Sequence, residues 1–414
     1  MRRTDAATKT AAVAACVLLA VSFYVLRRWL EQGQLADLPV YEGYAGLLRA
    51  GQVPYRDFAF EYPPAALPAV LVPAYLPWSY ATSFAVLMGA CGAGCVAAAA
   101  AALRAVGAAP VRAGTALLLI GVSPLVLGSL FDTRYDLWPT LLAVAAVAAV
   151  VRERPVVAGA LLGVGFAAKL WPGVLLPLAV AHLWRRRGGR GATAVVVSFA
   201  VAAAVCFLPF AVLSPGGLRA SLTGQLERPL QIESLGAAVL MAAQHLGMRP
   251  LATITASGGQ ALSGRGAGLA ADLSTAFEIA AVLAVWVAFA RRRGSGTEGV
   301  LVASAAAVAA LVAFDKVLSP QYLIWLVPLV ALVRGARGAL AGVLLLVALG
   351  LTQTWFPWSY WQLALDHASP WSWYLLARDL ALVALAVVLL TALTPAGDSA
   401  AGRAGWRAAR RAAA

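Results

Sequence analysis

Long apolar runs separated by short basic turns set the pattern of this chain. The runs fall at 10–26, 80–103, 113–130, 137–151, 156–168, 170–184, 191–212, 269–290, 299–314, 320–333, 338–354 and 374–394. A helix needs about 20 mostly apolar residues to cross the hydrocarbon core of a bilayer. The pattern therefore predicts a bundle of roughly 10–12 transmembrane helices, the shortest runs being the ones whose pairing into spans is open. A shorter piece at 65–77, interrupted by Pro68, Pro73 and Pro77, predicts a segment that dips into the membrane or lies on its surface. The first run follows Arg2, Arg3 and Lys9 and ends at Arg27–Arg28 without a small-residue cleavage site, so it reads as a retained first helix.

Composition excludes a soluble protein. Hydrophobic residues make up 62% of the chain and charged residues 12%, with a mean hydropathy of +0.81. No water-soluble interior hides that much apolar surface. The expected fold is thus all-α and polytopic, with residues 1–414 forming a single membrane domain. The net charge of +14 is a topology signal. With the N-terminus in the cytoplasm, one side collects Arg2, Arg3 and Lys9, then Arg104 and Arg112, Arg152 and Arg154, Arg185–Arg187 with Arg190, Arg291–Arg293, Arg334 and Arg337, and a basic tail at 395–414. The acids there are Asp5, Glu153, Glu298 and Asp398. By the positive-inside rule both termini are cytoplasmic in a plasma-membrane protein, and nucleic-acid binding is not implied. Cys16, Cys91, Cys95 and Cys206 all lie in apolar runs, so no disulfide is expected. Cys91 and Cys95 share a helical face but have no His or acidic neighbour, which points to packing.

The cytoplasmic turns are too short to hold a catalytic domain, so chemistry is expected on the opposite side, where loops 27–64, 213–268 and 355–373 are long. The first of these carries Asp37, Glu42, Asp57 and Glu61 among several tyrosines, and it stops at Tyr62-Pro63-Pro64. Residues 40–49 place Val40, Tyr44, Leu47 and Leu48 on one face, as an amphipathic helix at the membrane surface would. An ordered, carboxylate-bearing loop beside lipid suits chemistry on a lipid-linked substrate.

Here the sequence resembles glycosyltransferase family 87. The matching residues are Asp37-x-x-Val40-Tyr41, Gly51-x-x-Pro54-Tyr55-x-Asp57 and Glu61-Tyr62-Pro63-Pro64, followed in order by Arg134-Tyr135-Asp136-Leu137, Lys169-Leu170-Trp171-Pro172 and Ser319-Pro320-Gln321-Tyr322-Leu323-Ile324-Trp325. The resemblance runs from residue 37 to about 330. It implies a GT-C-type membrane enzyme that uses a polyprenyl-phosphate sugar, with mannose foremost and arabinofuranose as the alternative donor. It also implies that Asp37 is the general base that deprotonates the acceptor hydroxyl. An inverting displacement needs one base on the acceptor side. Its leaving group, a polyprenyl phosphate, is stable as an anion and needs no general acid. Cations near the phosphate oxygens would supply the remaining stabilisation, and Lys169, then Arg134, then Lys316 are the candidates. Tyr41, Tyr55, Asp57, Glu61 and Tyr62 of the first loop, with Asp136, Gln321 and Tyr322 from the later motifs, are candidates for ordering the loop or binding the acceptor. The partners so implied are the sugar donor, a lipid-linked glycan acceptor and the bilayer; no cofactor and no metal site are called for.

Each residue also has a purely structural reading. Asp37 could cap a helix through its carboxylate. Lys169 could snorkel to the surface. Arg134 could pair with Asp136, and Asp315 with Lys316. His245 and His367 lack ligand partners, so a metal site is not expected. Trp355, Trp358, Trp361, Trp371 and Trp373 could form an interfacial belt or a sugar-stacking surface. A transporter or flippase of lipid-linked glycans is the rival from another class; it would be expected to show inverted repeats, which the sequence lacks.

Overall fold

A computed structural model of the chain describes residues 2–30, 37–248, 250–256, 258–292 and 296–393. Residues 31–36 of the first loop and the basic tail at 395–414 lie outside the described residues. The fold is a helical membrane bundle with one small β-hairpin among the described residues. In chain order the helices are α1 (Arg2–Val25), α2 (Leu38–Arg49), α3 (Leu67–Leu71), α4 (Tyr80–Ala105), α5 (Pro110–Gly121), α6 (Ser123–Leu127), α7 (Leu130–Thr133), α8 (Leu137–Val151) and α9 (Pro155–Ala168). There follow α10 (Leu176–Leu213), α11 (Pro215–Leu226) and α12 (Leu235–His245), the antiparallel strands β1 (Ala252–Ala256) and β2 (Gly259–Ser263), then α13 (Ala267–Arg291), α14 (Gly296–Phe314), α15 (Leu323–Ala331), α16 (Gly335–Trp355), α17 (Tyr360–Asp366) and α18 (Trp371–Leu393). Seven described helices are long and apolar enough to cross a bilayer, and shorter apolar helices pack among them.

Burial explains which helices lie inside. Every residue of α14 from Gly299 to Ala310 is buried, as is nearly all of α8, so these two apolar helices form the interior. By contrast, α10 and α13 leave large apolar side chains such as Val205, Leu208, Phe277 and Ile279 uncovered, as lipid-facing helices do.

Several predicted runs are broken by identifiable backbone chemistry. The run at 113–130 divides into α5, α6 and α7, because Pro124 restarts the helix and Gly128 takes a positive φ of 58°. The runs at 170–184 and 191–212 stay separate helical stretches within α10, divided at Gly188, whose φ of 67° and ψ of −163° are not helical. The long loop 213–268 folds into α11, α12 and the hairpin. On the helix at 40–49 the residues turned into the bundle are Tyr41 and Ala45, which are buried, while Val40 of the expected apolar face is 47% exposed. The helix packs on the bundle through the Tyr41 ring against Phe84 and Tyr135, with centroids 5.4 and 5.9 Å apart.

The basic residues gather at one end. Arg104 pairs with Asp5; Arg112 makes a two-pronged pair with Glu298 (2.5 and 2.9 Å); Arg186 pairs with Glu153 (2.6 Å). Arg185, Arg292 and Arg337 donate to the carbonyls of Phe289, Ala392 and Thr391, at the ends of α13 and α18. Cations there neutralise the negative ends of helix dipoles.

Candidate active site

The opposite end of the bundle opens into a cavity of about 810 Å3. Its first wall comes from α2. Leu38 and Pro39 start this helix, and proline suits a first turn because its missing N–H has no partner there in any case. Asp37 occupies the N-cap position, but its carboxylate makes no capping bond. It instead accepts a hydrogen bond from the Tyr41 hydroxyl one turn on (3.2 Å) and forms an ion pair with Arg134. The structural reading of Asp37 as a side-chain cap is thus replaced by a cavity-lining, charge-paired carboxylate.

Arg134, Tyr135 and Asp136 form the link between α7 and α8. Arg134 leaves the helical conformation (φ −122°, ψ 137°), which aims it at α2 while Asp136 turns to the other side. Burial alone would weaken the Arg134 cation, but Asp37 and the neighbouring tyrosines more than reverse this and push its pKa up. Asp136 stands at the start of α8, where a negative charge meets the positive end of the helix dipole. It is 1% exposed and accepts from Lys169 Nζ (2.7 Å) and Trp325 Nε1 (2.7 Å). Sequence reading had allowed an Arg134–Asp136 pair; the charges pair crosswise instead, Arg134 with Asp37 and Lys169 with Asp136.

Lys169 owes its place to the end of α9. Pro172 cannot continue the ladder, and Lys169 itself is extended (φ −161°), so its side chain enters the cavity rather than snorkelling outward. The ammonium lies 5.0–5.2 Å from the ring centres of Tyr135, Tyr322 and Trp325, and Trp171 stacks on Trp325 at 4.8 Å. A cation surrounded by aromatic faces is partly desolvated and held in position.

The third wall is the segment 226–234 with the hairpin and the link from α14 to α15. Gln231 N–H donates to Lys316 O (2.9 Å), Ile232 N–H to Gln260 O (3.1 Å), and Leu262 N–H to Leu230 O (2.8 Å). The hairpin therefore continues into the cavity wall through Gly258, Gly259 and Gln260. Lys316 donates to Leu226 O (2.8 Å), while the neighbouring Asp315 accepts from Val317 N–H (2.8 Å); the two side chains are directed to separate partners. Burial pushes the Asp315 carboxyl up, with the Val317 N–H, Arg228, Lys316 and Lys169 pulling it back.

Of the residues singled out from sequence, Asp37, Tyr41, Glu61, Tyr62, Arg134, Asp136, Lys169, Lys316, Gln321 and Tyr322 all line this cavity. Tyr55 and Asp57 do not. Tyr55 holds the loop together: its hydroxyl donates to Tyr62 O (2.5 Å), its ring packs on Phe210, and its carbonyl accepts from Ser214 Oγ (2.8 Å). Asp57 is engaged by Arg56 and by Val53 N–H (2.7 Å), with Arg56 the main cause that lowers its pKa to about 2. The tryptophan cluster is split among roles. Trp355 is buried in the bundle, Trp373 stacks on His245, and Trp361 lines the cavity. His245 bonds Ser372, and His367 bonds Thr253 and Gln244; among the described residues no group of metal-ligating side chains comes together. Sequence reading missed Arg228, Gln231, Glu233 and Glu278, which also line the cavity. The available signal was the density of polar residues in Gln225–Ser234, unusual for this chain.

The model of glycosyltransferase family 87 matches residues 60–320, more than half of the chain. The match takes in Glu61, Arg134, Asp136, Lys169 and Lys316, whereas Asp37 lies before it. No curated protein matches the chain. An extended family match together with a polar cavity at one end of a helical membrane bundle supports one conclusion: the chain belongs to glycosyltransferase family 87 and is a membrane glycosyltransferase.

Proposed function

We propose that the protein transfers mannose from a polyprenyl-phosphate donor to a lipid-linked or cell-envelope glycan acceptor, with inversion, at the outer face of the plasma membrane. The observation that carries this reading is that Asp37, Arg134 and Lys169, drawn from three separate stretches of sequence, meet on one cavity in a membrane bundle. The donor's polyprenyl chain would lie along the apolar helices and its phosphate beside Lys169 and Arg134, with Lys316 on the far wall. An acceptor hydroxyl then attacks the anomeric carbon. The new C–O bond forms as the bond to the phosphate oxygen breaks, the hydroxyl proton passes to Asp37, and the polyprenyl phosphate leaves as an anion stabilised by the cations.

The Asp37–Arg134 pair suggests how the base is made ready. An incoming phosphate competes for the same guanidinium, whose planar fork matches phosphate as well as carboxylate. Donor binding would thus release Asp37 as the phosphate takes over the guanidinium. The collection of basic residues at the other end of the bundle supports cytoplasmic termini and an external site.

The test uses proteoliposomes containing the protein and a crude lipid acceptor extract, supplied separately with polyprenyl-phosphate mannose and polyprenyl-phosphate arabinose. Transfer of mannose with inversion supports the reading. Transfer of arabinose alone replaces the sugar but keeps the site, and retention of configuration contradicts the single-base mechanism.

A further inference from the structure

Most of the cavity's charged groups have partners within the protein. Asp37 is held by Arg134 and Tyr41, Asp136 by Lys169 and Trp325, and Asp315 by a backbone N–H. One stretch departs from this. Gln231 and Glu233 line the cavity wall and are 6% and 2% exposed. Gln231 Oε1 and Glu233 Oε2 have no hydrogen-bond partner among the described residues.

The backbone that carries them is firmly held. Gln231 O accepts from both the N–H and the hydroxyl of Ser234 (3.0 and 2.8 Å), Arg378 donates to Glu233 O (2.6 Å), and Gln231 N–H is bonded to Lys316 O. The Gln231 amide nitrogen donates to Ser319 Oγ (3.1 Å), which fixes the orientation of the amide. Two buried acceptor oxygens are therefore left without donors, that of Gln231 on an amide of fixed orientation and that of Glu233 on a firmly held backbone. A buried acceptor without a partner is costly, and native structures keep few of them. Burial pushes the Glu233 carboxyl up to about 7, with the Gln231 side chain, the Glu233 backbone N–H and the Arg378 and Arg228 charges pulling it back only in part. Tyr360 and Trp361 line the same cavity, and Tyr360 lies within electrostatic reach of Glu233.

We propose that Gln231 and Glu233 form a subsite that reads the hydroxyl groups of a sugar ring, with Tyr360 and Trp361 as its aromatic face. Hydroxyls are donors that complete both oxygens. The terminal carboxyl torsion of a glutamate is broad, so a small rotation brings Oε2 to an incoming hydroxyl. A site built around buried acceptors rejects ligands lacking the donor more strongly than an apolar pocket does, because rejection leaves the acceptors unmatched. The inference rests on the glycosyl-transfer reading and adds to it the residues that select the sugar. The ring could belong to the donor or to the acceptor, and the two are separated by measurement.

Binding, which needs no turnover, gives that measurement. The purified protein in detergent is titrated with polyprenyl-phosphate mannose against polyprenyl phosphate, and with a phosphatidylinositol mannoside against phosphatidylinositol. In the unaltered protein the sugared lipid of one pair should bind more tightly. Glu233→Gln and Gln231→Leu should each reduce that preference about tenfold, while the affinity for the bare lipids stays the same. The pair that responds identifies the source of the ring. Melting temperatures of the variants, equal to or above that of the unaltered protein, would separate lost recognition from lost folding. A preference that survives in both variants overturns this inference alone. If neither sugared lipid is preferred by the unaltered protein, both this inference and the reading of mannose transfer fail.

Discussion

Arg134 closes on the carboxylate of Asp37, and this pair joins the start of the first-loop helix to the link before α8. The pair brings together residues 97 positions apart, and neither capping nor local helix chemistry accounts for it. If a donor phosphate displaces the carboxylate, Arg134 serves both states. Arg134→Ala should then lower transfer by about a hundredfold or more, and Arg134→Lys should recover only part of it, because lysine lacks the planar fork. Equal transfer by Arg134→Ala and the unaltered protein would remove Arg134 from the reaction.

Lys169 carries structural and functional duties that can be separated. Lys169→Met leaves the buried Asp136 with Trp325 as its remaining side-chain donor, and breaking a buried pair from one side costs about 3–5 kcal/mol. The double variant Lys169→Met with Asp136→Asn should regain most of the lost thermal stability but no transfer activity. Restored activity in the double variant would show that Lys169 acts only through Asp136.

The apolar runs and the basic turns were enough to read a helical membrane protein, since lipid permits few alternatives. Most of the residues now lining the cavity also stood out, because Asp37, Arg134 and Lys169 are polar exceptions in an apolar chain. The crosswise pairing did not stand out. It depends on Arg134 and Lys169 leaving the helical conformation, which Pro172 and the turn at Gly128 favour but do not dictate. Arg228, Gln231 and Glu233 were hidden for a different reason. Their segment becomes a cavity wall only through the hairpin at 252–263, and a two-stranded hairpin leaves little trace in sequence without a tight-turn signature.

Stability should respond to pH through Glu233. Its pKa is raised in the folded protein to about 7, against an ordinary value near 4.5. The folded state therefore holds this proton more tightly than the unfolded state, so stability is greatest below the ordinary value and falls as pH rises toward 7. Between about pH 5 and 8 the unaltered protein should lose more melting temperature than Glu233→Gln does. Parallel pH profiles for the two would contradict the assignment.

The first loop is seated on α11 by a close approach. A Cβ at Gly217 would collide with the carbonyl oxygen of Tyr55, whose own φ of 67° is unusual for a tyrosine. Gly217→Ala should destabilise the protein by about 1–3 kcal/mol and lower transfer by displacing the loop that carries Asp37, although neither Tyr55 nor Gly217 lines the cavity. Unchanged melting and unchanged transfer would show that this contact does not position the loop.

The central claim is that Asp37 accepts the proton of the attacking hydroxyl, and one comparison tests it most directly. Membranes containing the unaltered protein or Asp37→Asn are supplied with radiolabelled polyprenyl-phosphate mannose and a crude lipid acceptor extract, and label transfer is counted. The substitution keeps the size of the side chain and removes its basicity. The account predicts transfer by the unaltered protein and its loss in a variant that melts normally. Equal transfer by both would contradict it and move the search for the base to the other carboxylates of the same cavity.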